Sequence, residues 1–188
     1  MEGASLTVDN LACRRGERVL FRGLSFALQP GEVLQVRGAT GTGKSSLLRI
    51  VARLLRPFEG TVGHDGPIAL LDEHLPLDEH LPLGQALAFW ERIDGAHDVG
   101  TLAPLLDVPV RFLSTGQRKR AAILQSAPRP GGLWLLDEPL NGLDAAAAER
   151  LVGQVAAFCS GGGMALIASH QAFALTSLKT LDLADYAP

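Results

Sequence analysis

Apolar residues in this chain cluster in short blocks set apart by glycine, proline and acidic turns. Val33-Leu34-Gln35-Val36-Arg37 is the first of three such blocks that dominate the pattern, and it reads as a short buried strand. Leu133-Trp134-Leu135-Leu136 is apolar at every position, and Met164-Ala165-Leu166-Ile167-Ala168 repeats the type, so both predict strands covered on two faces. Leu6-Thr7-Val8, Val19-Leu20-Phe21 and Leu24-Ser25-Phe26-Ala27-Leu28 predict earlier strands, with Arg14-Arg15-Gly16-Glu17 as a turn and Gln29-Pro30-Gly31-Glu32 as a tight turn into the block at Val33. Thr61-Val62 and Ile68-Ala69-Leu70-Leu71 predict two more short strands.

Helical periodicity fills the intervals. One helix is expected from Ser45 to about Leu55, stopped by Pro57. Leu87 and Trp90 fall on one face of a helix starting near Gly84, and Ser114 opens another that ends before Pro128. Between them Gly95, Gly100, Pro104 and Pro109 break the chain, so 84–130 is expected to be a mostly helical insertion in an alternating β/α chain. Ala145 to Phe158 reads as a long alanine-rich helix, and Met164–Ala168 as the last central strand.

Composition adds limits. The 188 residues suit one domain with a sizeable core, and 47% hydrophobic with 20% charged residues is ordinary for a globular protein. A net charge of −3 with no basic tract beyond Arg118-Lys119-Arg120 gives no reason to expect a nucleic-acid partner. No apolar run reaches the ~18–20 residues that span a bilayer, and Met1–Ser5 lacks the pattern of a signal peptide, so a cytosolic chain is expected. Cys13 and Cys159 form no C-x-x-C pair and read as small buried residues. Leu71-Asp72-Glu73-His74-Leu75-Pro76 recurs as Leu77–Pro82, which reads as a proline-punctuated loop with solvated charges rather than a metal site.

The chemistry starts after the strand at Val33. Gly38-Ala39-Thr40-Gly41-Thr42-Gly43-Lys44-Ser45 fits G-x-x-x-x-G-K-[ST], followed by Ser46 and a helical pattern, the strand–loop–helix context of a phosphate-binding loop. The glycines let successive N–H groups converge on phosphate, and the helix start points its positive end at the same place. Lys44 would bridge the β- and γ-phosphates and Ser45 would ligate Mg²⁺; the bland alternative is an ordinary glycine-rich turn. Asp137 and Glu138, at the end of the apolar strand from Leu133, would hold Mg²⁺ and act as general base, respectively. Leu113-Ser114-Thr115-Gly116-Gln117 is a serine N-cap and a glycine at a helix mouth, a second anion-binding arrangement that one nucleotide in one chain does not need.

That Leu-Ser-Thr-Gly-Gln stretch resembles the signature motif of ATP-binding cassette (ABC) ATPases. Leu140-Asn141-Gly142-Leu143-Asp144 resembles their D-loop and His170 their switch histidine, in the family's order. The stretches Leu11–Phe21, Gly23–Phe26 and Ser46–Ile50, with Ser169-His170-Gln171, are similar to ATP-binding subunits of the cytochrome c biogenesis haem exporter. The resemblance implies an α/β fold, a P-loop NTPase with an N-terminal antiparallel β region and a short helical insertion. Residues 1–83 and 131–188 would form the catalytic core of a single ABC domain, and 84–130 a helical subdomain carrying the signature. It also implies ATP and Mg²⁺ as cofactors, and integral membrane subunits and a second copy of the chain as partners. The second copy's Ser114, Gly116 and Gln117 would face the nucleotide on Gly38–Ser46. The implied location is peripheral, at the cytoplasmic face of the inner membrane. The rival reading is a non-transport ABC ATPase acting on ribosomes or nucleic acid. Two positions depart from the family: Arg15 stands where an aromatic usually stacks on adenine, and reads either as a stacking arginine or as a solvated turn residue. His74 stands at the Q-loop glutamine's place, as a candidate metal-contacting group.

Overall fold

A computed structural model describes residues 5–72, 77–94, 99–126, 128 and 130–188. The chain opens with a long hairpin of β1 (Leu6–Arg15) and β2 (Arg18–Leu28). The short strands expected there are pieces of these two, and the turn narrows to Gly16-Glu17. Register shifts after Val8, Leu11 and Cys13, with Asn10 at φ 46° and Gly23 at φ 74°, let the hairpin twist while it stays paired. Next come β3 (Val33–Arg37), α1 (Lys44–Val51), β4 (Glu59–Gly63) and β5 (Ile68–Leu71). After these follow α2 (Leu83–Asp94), α3 (Thr115–Gln125), β6 (Leu133–Asp137), α4 (Ala145–Ser160), β7 (Met164–Ala168) and β8 (Leu178–Asp182).

Two sheets result among the described residues. β2-β1-β4 is antiparallel, and β5-β6-β7-β3-β8 is parallel throughout. Alternation divides the parallel sheet's side chains between two cores. Leu34, Val36, Leu133, Leu135, Met164 and Leu166 point into the layer shared with the antiparallel sheet and α1. Val33, Trp134, Leu136, Ala165 and Ile167 point into the layer covered by α4 and part of α3. Burial on both faces is why these strands read as unbroken apolar runs. A third cluster joins Leu83, Ala86 and Leu87 of α2 to Leu102, Val110, Leu113 and Ala121.

One expectation needs correction, and one strand went unmarked. α1 ends at Val51 rather than near Leu55: the Arg53 N–H donates to Ile50 O and the Leu54 N–H to Arg49 O, with Arg53 at φ 61°. These bonds close the helix in a Schellman-type cap whose left-handed position usually holds glycine. Arginine gave no sequence sign of it, and its guanidinium is held by His64 O at 2.7 Å. Met164–Ala168 is the last central strand, as expected, and a further strand that no reading marked, β8, pairs with β3 at the sheet edge. Leu178-Lys179-Thr180-Leu181-Asp182 mixes polar and apolar residues and is largely exposed, so no apolar run marks it. His74 lies outside the described residues.

Candidate functional site

The loop between β3 and α1 is shaped by three glycines at positive φ: Gly38 at 141°, Gly41 at 83° and Gly43 at 109°. A Cβ on Gly38 would lie 2.8 Å from Thr42 Oγ1, and one on Gly43 3.0 Å from the Phe21 ring, so side chains are excluded by contact as well as by conformation. Lys44 is buried, and its Nζ donates to Gly38 O at 2.7 Å and Ala39 O at 3.1 Å. The Thr42 hydroxyl also donates to Ala39 O, at 2.9 Å. The ammonium thus curls the loop around itself. α1 begins with no side-chain cap and no acid in its first turn, which leaves its N-terminal N–H groups and dipole available to an anion.

The acidic half stands at the end of β6. Asp137 is hydrogen-bonded to the Ser45 side chain, yet its Oδ1 is buried with no hydrogen-bond partner among the described residues. Burial pushes its carboxyl above the usual range; Ser45 and Arg49 oppose that, while Glu138 and Asp72 reinforce it. A buried carboxylate oxygen without a partner, beside a serine hydroxyl, is a hard oxygen donor set of the kind Mg²⁺ takes, so these residues fit that ion. Glu138 has φ 42°, an uncommon conformation for a non-glycine residue. Its N–H donates to Ala168 O at 2.8 Å, and its carbonyl accepts from Lys119 Nζ at 3.3 Å. The turned backbone carries the carboxylate over the loop. Oε2 lies 2.9 Å from His170 Nδ1 and accepts from Ser169 Oγ at 3.3 Å, and Oε1 is 3.9 Å from Lys44 Nζ. Burial lowers the pKa of the Lys119 ammonium from its ordinary value, against the pull of Asp137, Glu138 and Asp72.

An open cleft of about 370 Å³ gathers Thr40, Gly41, Gly43, Lys44, Ser45, Ser46, Glu138 and His170. Gly38, Ala39 and Thr42 form the inner turn bonded to Lys44, and Asp137 joins through Ser45. Arg15 is exposed at the end of β1 and does not line the cleft. Ser114, Gly116 and Gln117 do not line it either. They start α3 in a reciprocal capping box: the Gln117 N–H donates to Ser114 Oγ at 3.2 Å, and the Ser114 N–H to Gln117 Oε1 at 2.7 Å. Gly116 packs on the D-loop of its own chain, where an added Cβ would sit 2.8 Å from Gly142 O. Leu20 and Asn141 line the cleft without having been singled out as site residues, and Lys119 braces Glu138. Asn141 had a signal in its D-loop resemblance; Leu20 had none, since an apolar residue in a strand says nothing of what it faces.

A family model described as ABC transporter matches residues 21–141. The chain is 54% identical to the cytochrome c biogenesis ATP-binding export protein CcmA of Novosphingobium aromaticivorans, over 100% of both chains. It is 49% identical to the protein of the same name from Sphingopyxis alaskensis, covering 94% of this chain and 95% of that one. Among solved structures, a Pyrococcus furiosus protein described as a putative ABC transporter ATP-binding protein superposes with a TM-score of 0.80 at 16% identity, over 98% of this chain and 100% of that one. An ATP-binding subunit of an ABC transporter matches with a TM-score of 0.76 at 22% identity, over 88% and 79%. At those identities the structural matches speak for the fold.

Proposed function

This chain belongs to the ABC transporter family, and we propose that it is the ATP-hydrolysing subunit of an export complex of cytochrome c biogenesis, resembling the haem exporter. The observation that carries the reading is the meeting of Lys44, Glu138 and His170 over one glycine loop. The triphosphate of ATP lies along Gly38–Ser46, where loop N–H groups and the α1 terminus receive its charge. Lys44 exchanges the carbonyls of Gly38 and Ala39 for phosphate oxygens, which opens the curled loop. Ser45 and Asp137 would hold Mg²⁺, which would neutralise charge on the phosphate oxygens. As water oxygen bonds to the γ-phosphorus and the γ-phosphorus–oxygen bond to the β-phosphate breaks, releasing ADP and phosphate, Glu138 accepts the water's proton, and His170 orients the Glu138 carboxylate through Oε2.

A second copy of the chain completes the site. Ser114, Gly116 and Gln117 lie off the cleft of their own chain, and the N–H groups at the start of α3 suit a γ-phosphate held by the other copy. Dimer closure on ATP and opening after hydrolysis drive the integral membrane subunits between states. No helix among the described residues is long and apolar enough to cross a membrane, and we place the chain peripherally at the cytoplasmic face of the inner membrane through those subunits.

The test uses Glu138→Gln in the full chain, co-expressed with its membrane subunits. Turnover should fall about 10²–10⁴-fold, the range of a lost general base, while ATP binding persists. Light scattering on the variant chain purified without those subunits should show its mass double with Mg²⁺ and ATP, and adding Ser114→Arg should abolish the doubling. Full turnover by Glu138→Gln would refute the catalytic assignment, and a doubling that survives Ser114→Arg would refute the shared site.

A further inference from the structure

Gln35 is fully buried in the strand that feeds the phosphate loop, and the mechanism above leaves it unused. It lies in the middle of β3, between apolar neighbours Leu34 and Val36, and is 0% exposed. An amide in such a place is costly unless bonded. Its Nε2 donates to Gln171 O at 2.6 Å and to Ser169 O at 3.3 Å, while Arg37 Nη2 lies 3.4 Å from its Oε1. The orientation follows from chemistry: two carbonyls can only accept and a guanidinium can only donate, so the amide fits one way round.

The two carbonyls flank His170. One buried NH₂ group therefore pins the backbone on both sides of a residue whose own side chain is more than half exposed. The same segment is tied onward. Gln171 N–H donates to Ser169 Oγ at 3.1 Å, that hydroxyl donates to Glu138 Oε2, and Gln171 Nε2 donates to Asn141 Oδ1 at 2.8 Å. We infer that Gln35 is a positioning residue: it sets where His170 stands against Glu138 and joins the histidine segment to Asn141 of the D-loop. The inference rests on the catalytic reading of Glu138 and His170 proposed above. Removing the donors frees the segment to shift, and a displacement of about 1 Å in a catalytic group costs on the order of 10²-fold in rate.

The experiment compares Gln35→Met, His170→Ala and the double variant in the full chain co-expressed with its membrane subunits, measuring kcat and the Kd of a fluorescent ATP analogue. Gln35→Met keeps the volume and removes both donors. Its kcat should fall about 10–100-fold, with the Kd within about twofold of the parent. In the His170→Ala background the same change should cost almost nothing more, because both act through one group. Gln35→Leu, which also removes both donors and cannot regain one by protonation, should repeat the effect if Gln35→Met folds poorly. Either variant with unchanged kcat, or with losses that multiply with those of His170→Ala, would overturn the role of Gln35. A His170→Ala variant of full activity would instead refute the reading of His170 itself.

Discussion

Replacing Asp137 by asparagine should make the protein more stable without its ligand and unable to use magnesium. Asp137 Oδ1 is buried without a hydrogen-bond partner among the described residues, and burial raises the carboxyl's pKa. The ionised form is therefore held at a cost. Asparagine keeps a polar atom at that place but carries no charge to desolvate, and for a half-buried residue with one serine contact the relief belongs in the lower part of the ~1–3 kcal/mol that such burial costs. A relief of about 1–2 kcal/mol in a chain of this size raises Tm by about 2–8 °C. The sign with pH follows from the raised folded value. Asp137 contributes stability that is fully present below its unfolded pKa of about 4, and that is lost as pH rises through the folded value. The gain from Asp137→Asn should accordingly be absent at the acid end, grow through that window and stay constant above it. The assay is thermal unfolding followed by circular dichroism, at several pH values, in EDTA, in ATP with EDTA, and in ATP with Mg²⁺. The parent should gain Tm on adding Mg²⁺ to ATP, by mass action on the folded state, and the variant should lose that increment. A lower Tm for Asp137→Asn in EDTA at neutral pH, or an undiminished magnesium increment, would refute the argument.

Two further outcomes follow from packing and burial. Gly116→Ala should be destabilising by about 1–3 kcal/mol, because its Cβ would meet the Gly142 carbonyl 2.8 Å away, and ATP turnover should drop as the D-loop yields; a Tm increase of the size helix propensity gives, with turnover unchanged, would contradict it. Burial pushes the Cys159 thiol up to about 11, so roughly one molecule in a thousand carries the thiolate at about pH 8. Iodoacetamide should label it slowly in the native protein and readily in urea; equal rates would show that the thiol is not protected.

The parallel core was legible in the order of residues alone, because strands buried on both faces must be apolar at every position, as Leu133–Leu136 and Met164–Ala168 are. The phosphate loop was legible too, since the turn chemistry of three glycines and a lysine is local. β8 stayed invisible because an exposed edge carries no apolar signature, and the end of α1 because Arg53 takes a conformation that glycine usually announces. Gln35 shows the division within a single residue. The glutamine stands in plain view in an apolar strand, but nothing local says that it is buried or which groups satisfy it. Its partners lie 134 and 136 positions away, and they meet it only because β7 pairs with β3 and hands the chain over at Ala168. Tertiary structure alone decided that His170, Glu138 and Lys44 converge, since strand order and crossover set which loop ends meet, and no local pattern encodes that order.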